Sequence, residues 1–168
     1  CFAECAACDV EVVEHEVTFS VNMANETVAE TGVYLAGGGN FGNPGDNEMT
    51  DPDGDGIYSI TMMLDEGFSS HYTFTNGACG DWSCKENLNG LPCGDPDNFN
   101  DRFLPAITGP TQVLTCFGQC STDGTCEAVQ NAMVTFQVDM NTEAVTGDVT
   151  MFGSFNGWAF PGEVMLDD

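Results

Sequence analysis

Apolar and polar residues alternate along several short runs of the chain. Val17, Phe19, Val21 and Met23 are separated by Thr18, Ser20 and Asn22; Tyr58, Ile60, Met62 and Leu64 repeat the pattern, and Tyr72 and Phe74 give a shorter version of it. Side chains two positions apart share one face of a strand, so each run predicts a β-strand with one buried side. Residues 112–117 predict a last strand. Gly, Pro, Asn and Asp gather between the runs, at 37–47, 51–56, 76–81 and 89–101, where they predict turns and loops. No segment holds the i, i+3, i+4 spacing of an amphipathic helix over three turns. Seven or so short strands in about 115 residues predict an all-β fold, an antiparallel immunoglobulin-like sandwich.

The alternation also returns at long range. Val17-Thr-Phe-Ser-Val-Asn-Met23 is matched by Val134-Thr-Phe-Gln-Val-Asp-Met140, and Glu26 and Val28 by Glu143 and Val145, at an offset of 117. After a slip of one residue, Val33, Gly37, Met49 and Asp51 return as Val149, Gly153, Met165 and Asp167; Cys1-Phe-Ala-Glu-Cys5 returns as Cys116-Phe-Gly-Gln-Cys120. A period of about 115 residues is a whole domain, so the pattern predicts tandem domains and not the turns of a solenoid. The expected division is 1–8 as the tail of a preceding repeat, 9–126 as a complete repeat, and 127–168 as the first part of a following one. About 40 residues cannot bury a core unaided. The last segment is therefore expected to be completed by more of its own chain or by a neighbouring copy, as in strand donation, with Val134, Phe136 and Val138 covered and paired.

Charge narrows the partners. The chain of 168 residues carries 27 Asp and Glu against 2 Lys and Arg, a formal charge of −25. Lys85 and Arg102 are too few to grip a phosphate backbone, which excludes nucleic acid, and the same count excludes anionic membrane surfaces. No apolar run approaches the roughly 18 residues of a membrane span. A hydrophobic content of 42% opposes the disorder that so high a charge would otherwise suggest.

The nine cysteines point to an oxidising, extracellular compartment. Only Cys5-x-x-Cys8 has the spacing of a zinc knuckle, and neither a second knuckle nor a suitable His accompanies it. Cys1, Cys5 and Cys8 fall to the preceding repeat, which leaves Cys79, Cys84, Cys93, Cys116, Cys120 and Cys126 to the complete one. That even set predicts disulfides. Six cysteines allow fifteen pairings; proximity along the chain favours Cys79 or Cys84 with Cys93, and Cys120 with Cys126. Asn25-Glu26-Thr27 is a glycosylation sequon, as a secreted chain would carry.

Two oxygen-rich loops are candidates for calcium. Asp51-Pro-Asp-Gly-Asp-Gly56 has Asp51, Asp53 and Asp55 at positions 1, 3 and 5 of a calcium loop and Gly at 6, but Met62 stands where the helical motif needs a bidentate Glu. The same residues also suit a plain turn that leads into a strand. Asp95, Asp97 and Asp101, with Asn98 and Asn100, form the second loop. For catalysis, His15 and His71 have no nucleophile at a motif spacing, and the many carboxylates single out no acid–base pair, so a non-catalytic protein is expected. Trp82 and Trp158 lie in Gly/Asn/Asp-rich loops instead of alternating core positions, where an indole face can meet a sugar ring.

Val149-Thr-Met-Phe-Gly-Ser-Phe-Asn-Gly-Trp158, followed by Met165-Leu-Asp-Asp168, resembles the start of glycogen- and starch-binding β-sandwiches. In the complete repeat, Asp53-Gly-Asp-Gly-Ile-Tyr58, Leu64-Asp-Glu-Gly67 and Tyr72-Thr-Phe-Thr-Asn-Gly77 are similar to the hairpin that follows in that family. Joined in series, such units resemble the cysteine-bearing tandem modules of large secreted proteins from marine microbes. The resemblance implies an α-glucan site built from Trp158, Trp82 and Asn156. The chain departs from that pattern: the two Trp fall in different repeats, and in the complete repeat the first Trp position is Gly42 and the family's Lys position is Thr73. The leading expectation is thus a structural repeat of an extracellular fibre, adhesin or surface assembly, whose partners are neighbouring repeats or copies. The second is a polysaccharide-binding module.

Overall fold

The computed structural model describes residues 12–37, 39–128 and 134–166. Cys1, Cys5 and Cys8, and with them the expected tail at 1–8, lie outside the described residues. The chain divides into two compact units, Cys1–Val129 and Gln130–Asp168. The described residues form strands, loops and two 3-10 turns, Pro96–Asn98 and Ser154–Asn156, with no α-helix.

The described residues of the first unit form seven strands: β1 (Glu14–Asn22), β2 (Val33–Gly37), β3 (Gly42–Met49), β4 (Ile57–Asp65), β5 (Ser70–Asn76), β6 (Arg102–Leu104) and β7 (Thr111–Cys116). They form a three-stranded sheet in the order β4-β1-β7 and a four-stranded sheet in the order β3-β2-β5-β6. The alternation in β1 sends Val17, Phe19 and Val21 inward to 0% exposure, and Tyr58, Ile60, Met62 and Leu64 of β4 pack on the same core. The second sheet answers with Val33, Leu35, Tyr72 and Phe74. Phe19 meets Tyr72 and Phe41 edge-on, at centroid distances of 5.1 and 5.4 Å, so the two sheets lock through aromatic contacts as well as buried area.

Two expectations about the strands of this unit change. The sheets are mostly antiparallel, but β7 runs parallel to β1, with Val113 opposite Phe19. A parallel neighbour requires a long crossover, and here nearly the whole unit serves as one. Residues 42–47, expected within the turn cluster at 37–47, belong to β3, which pairs with β2 from Val33↔Met49 to Gly37↔Gly42. As an exposed edge strand it needs no apolar alternation and tolerates Pro44. At the bulge beside it, Gly37 has φ of 147°, and a Cβ there would lie 2.8 Å from the Tyr72 Cα, so only glycine lets β2 and β5 approach so closely.

The disulfide pairing also differs: the bonds are Cys79–Cys84, Cys93–Cys120 and Cys116–Cys126. Cys84 is held beside β5, because the Asn76 amide donates to the Cys84 carbonyl (2.9 Å) and the Glu86 amide to the Phe74 carbonyl (3.0 Å). That return stroke brings Cys84 back against Cys79. The loop that follows carries Cys93 away to the segment after β7, where Cys120 waits. Cys126, in turn, comes back beside the end of β1, within reach of Cys116 at the end of β7.

The described residues of the second unit form one small hairpin, β8 (Thr150–Met151) with β9 (Glu163–Val164). Among its described residues only Gly153 is buried. The strand expected at 134–140 does not form in this chain by itself: Val134, Phe136 and Val138 are 64, 51 and 54% exposed. In the first unit β1, whose residues 17–23 match 134–140 in sequence, is paired on both sides by β4 and β7.

Candidate functional site

The densest polar arrangement in the first unit surrounds its two cations. Arg102, at the start of β6, is buried and donates through Nε to Glu86 Oε1 (2.9 Å), through Nη2 to Glu86 Oε2 (2.6 Å), and on to Thr115 Oγ1 and the carbonyls of Cys116 and Gln119. Glu86, also buried, further accepts from the amides of Phe74 (3.1 Å) and Gly118 (3.0 Å). This fork-to-fork pair ties β5, β6 and the turn after β7 into one body, with its donors and acceptors satisfied as a buried charge requires. Lys85 donates to the Phe99 carbonyl (2.6 Å) and pairs with Asp101. Burial raises the Asp101 carboxyl above the ordinary carboxylate range, and Lys85 opposes that shift. Sequence reasoning missed this network. The signal available was scarcity: both cations of an otherwise acidic chain flank the same loop.

The second oxygen-rich loop is absorbed into the same construction. Asp95 accepts from its own turn, at the Asp97 amide (3.0 Å) and Asn98 Nδ2 (2.8 Å), and its other partner is His71 Nε2 at 2.9 Å. These bonds, the Asn98 one foremost, hold the Asp95 carboxyl below the usual range. Asp95, Asp97 and Asp101 do not gather as a metal-holding group among the described residues. The Asp95 carboxylate answers protein donors, and Asp101 already has a cation.

Asp51, Asp53 and Asp55, between β3 and β4, do gather, each offering an oxygen within 4.8 Å of the others. Asp53 and Asp55 border an open depression of about 530 Å³. Asp51 accepts from the amides of Gly54 (2.9 Å), Asp55 (3.2 Å) and Gly56 (3.0 Å), and Asp55 accepts from the amide of Ile57 (2.8 Å). The donor chemistry suits calcium; the geometry is that of a turn capped by its own first residue.

Trp82 sits half-buried at the tip of the six-residue ring closed by Cys79–Cys84, with φ of 62°. In the second unit, Trp158 is 67% exposed, touches Phe152 edge-on at 6.2 Å, and follows Asn156, whose Oδ1 accepts from the Gly153 amide (3.0 Å). Each Trp therefore belongs to its own unit. Asn25, the sequon residue, lies in the turn after β1, half-buried, and donates its side-chain amide to the Glu127 carbonyl at 2.6 Å. His15 pairs with Glu66 at 3.4 Å. No known family model matches the chain, and neither does any curated protein.

Proposed function

We propose that this chain is a non-catalytic structural repeat, of immunoglobulin-like sandwich type, from a secreted fibre, adhesin or surface assembly, and that its partners are neighbouring repeats or copies. The observation that carries the reading is the use made of the basic and sulfur-bearing side chains in the first unit. Lys85, Arg102, His15 and His71 all bind acidic groups within the fold. Six cysteines fasten its longest loop and its last strand. Chemistry elsewhere recruited to sites is here recruited to rigidity. The disulfides suit an oxidising, extracellular setting, where a sugar on Asn25 would also be added.

A second reading has its own observation. Trp158 and Phe160 are 67 and 87% exposed in the second unit, as an aromatic platform for a polysaccharide would be. Co-sedimentation of the whole chain with insoluble α-glucan separates the two. The structural reading expects the chain to stay in the supernatant. Retention that Trp158→Ala abolishes would replace it with the carbohydrate-binding reading.

A further inference from the structure

We propose that residues 134–166 are the first half of a second sandwich, and that the partner their apolar face takes is a polypeptide segment of the β4–β7 kind. The hairpin supplies the evidence beyond sequence likeness. Thr150 pairs with Val164 and Met151 with Glu163; the Met165 amide donates to the Val149 carbonyl at 2.8 Å. Moved back 116 positions, these are Tyr34↔Glu48, Leu35↔Asn47 and Val33↔Met49, the register of β2 on β3. The second unit has thus already built its β2–β3 equivalent, in register, without the rest of the sheet.

The unpaired remainder follows from topology. Among the described strands of the first unit, β1 is hydrogen-bonded only to β4 and β7, and β2 has β5 on its other side. Among the described strands, then, the hairpin holds no equivalent of the partners that β1 has. Val134, Phe136 and Val138, more than half exposed, stand where Val17, Phe19 and Val21 have 0% exposure. Val149, Met151 and Met165 stand where Val33, Leu35 and Met49 are buried. The face is apolar at the positions that strands four, five and seven cover. A segment with the alternation of Tyr58 to Leu64, the Tyr72/Phe74 pair and a last strand like β7 fits it; a single added strand would leave the β5 side open.

The inference rests on the repeat reading above, but its test reads the folding of one unit, not assembly or sugar binding, so either can fail alone. The whole chain is compared with a longer one in which a copy of residues 53–126 follows Asp168, in the register that places Asp51 at Asp167. Amide hydrogen exchange is followed at 134–140, with 17–23 as the internal reference. In the longer chain, exchange at 134–140 is expected to slow about a hundredfold, towards that of 17–23. The same extension carrying Phe74→Asp in the appended copy is expected to lose that protection while 17–23 keeps its own. Free exchange at 134–140 in the longer chain would overturn the proposal. So would protection already present in the original chain together with a dimer in sedimentation, because copies of the chain would then cover the face themselves.

Discussion

Arg102 and Glu86 have side chains 5 and 0% exposed, so each is tolerable only through the other. Removing one charge leaves its partner buried and unpaired, which costs about 3–5 kcal/mol, whereas replacing both with apolar groups is often neutral. Arg102→Met is therefore expected to lose that much stability in urea unfolding, and Arg102→Met with Glu86→Leu to recover most of it. A double variant as unstable as the single one would show that the network's value lies in its bonds to Thr115, Cys116 and Gln119. Asp95 tests the acid side. Its folded carboxyl titrates below the unfolded one, so its contribution is complete above the unfolded value of about 3.9 and disappears as pH falls through the lowered folded value. Asp95→Asn is expected to be less stable than the original chain near neutrality and to lose less on acidification, as read from thermal melts across that range. Asp101 has the opposite sign: its folded carboxyl is raised, so its ionised form weighs against folding and its protonation on acidification relieves that cost.

At the scale of elements, the disulfides can be ranked. The cross-links join residues 27, 10 and 5 positions apart for Cys93–Cys120, Cys116–Cys126 and Cys79–Cys84. Loop-closure entropy assigns them about 3.6, 2.7 and 2 kcal/mol in that order. Replacing each pair by Ser should lower the urea midpoint in the same sequence; the reverse order would mean that the small ring around Trp82 organises β5 directly. The elements also show what a one-dimensional pattern carries. Strands β1 and β4 were legible because each has one face on the core, and burial imposes alternation; β5 showed only its Tyr72/Phe74 pair, because Thr73 and Thr75 are buried as well, and β7 only a short run at 112–117. Strand β3 lies at an edge, so Gly42 to Met49 looks like a loop. The cysteine partners were illegible for a related reason: what decides them is the return of residues 84–86 along β5 and the path of the following loop, both set by backbone hydrogen bonds and by Glu86. Those bonds leave no periodic trace. The acidic loop at 51–56 was legible as a turn, and the turn is what its amide donors make of it. The strand pattern at 134–140 was legible too, but a pattern specifies a face and not the neighbour that covers it.

For the whole molecule the governing quantity is the charge of −25. Lys85 and Arg102 neutralise one carboxylate each within a single region, so most of the acidic groups repel one another across the surface with nothing but solvent ions between them. Raising salt from about 0.01 M to about 1 M shortens the screening length from about 30 Å to about 3 Å. A relief of about 1–2 kcal/mol would raise the melting temperature by about 4–8 °C for a domain of this size. The melting temperature is therefore expected to climb steadily with sodium chloride, and a flat response would mean that the charges are spaced widely enough not to matter. Calcium sharpens the test, because Asp51, Asp53 and Asp55 are the place where a specific ion would show. With Asp51 already capping its own turn, sodium and calcium chloride at equal ionic strength are expected to give the same rise, and Asp53→Asn with Asp55→Asn to melt higher than the original chain at low salt by removing two crowded charges. An increment that only calcium produces, that saturates, and that the double variant loses would instead place a bound ion in the loop and make it part of how an acidic surface is held together.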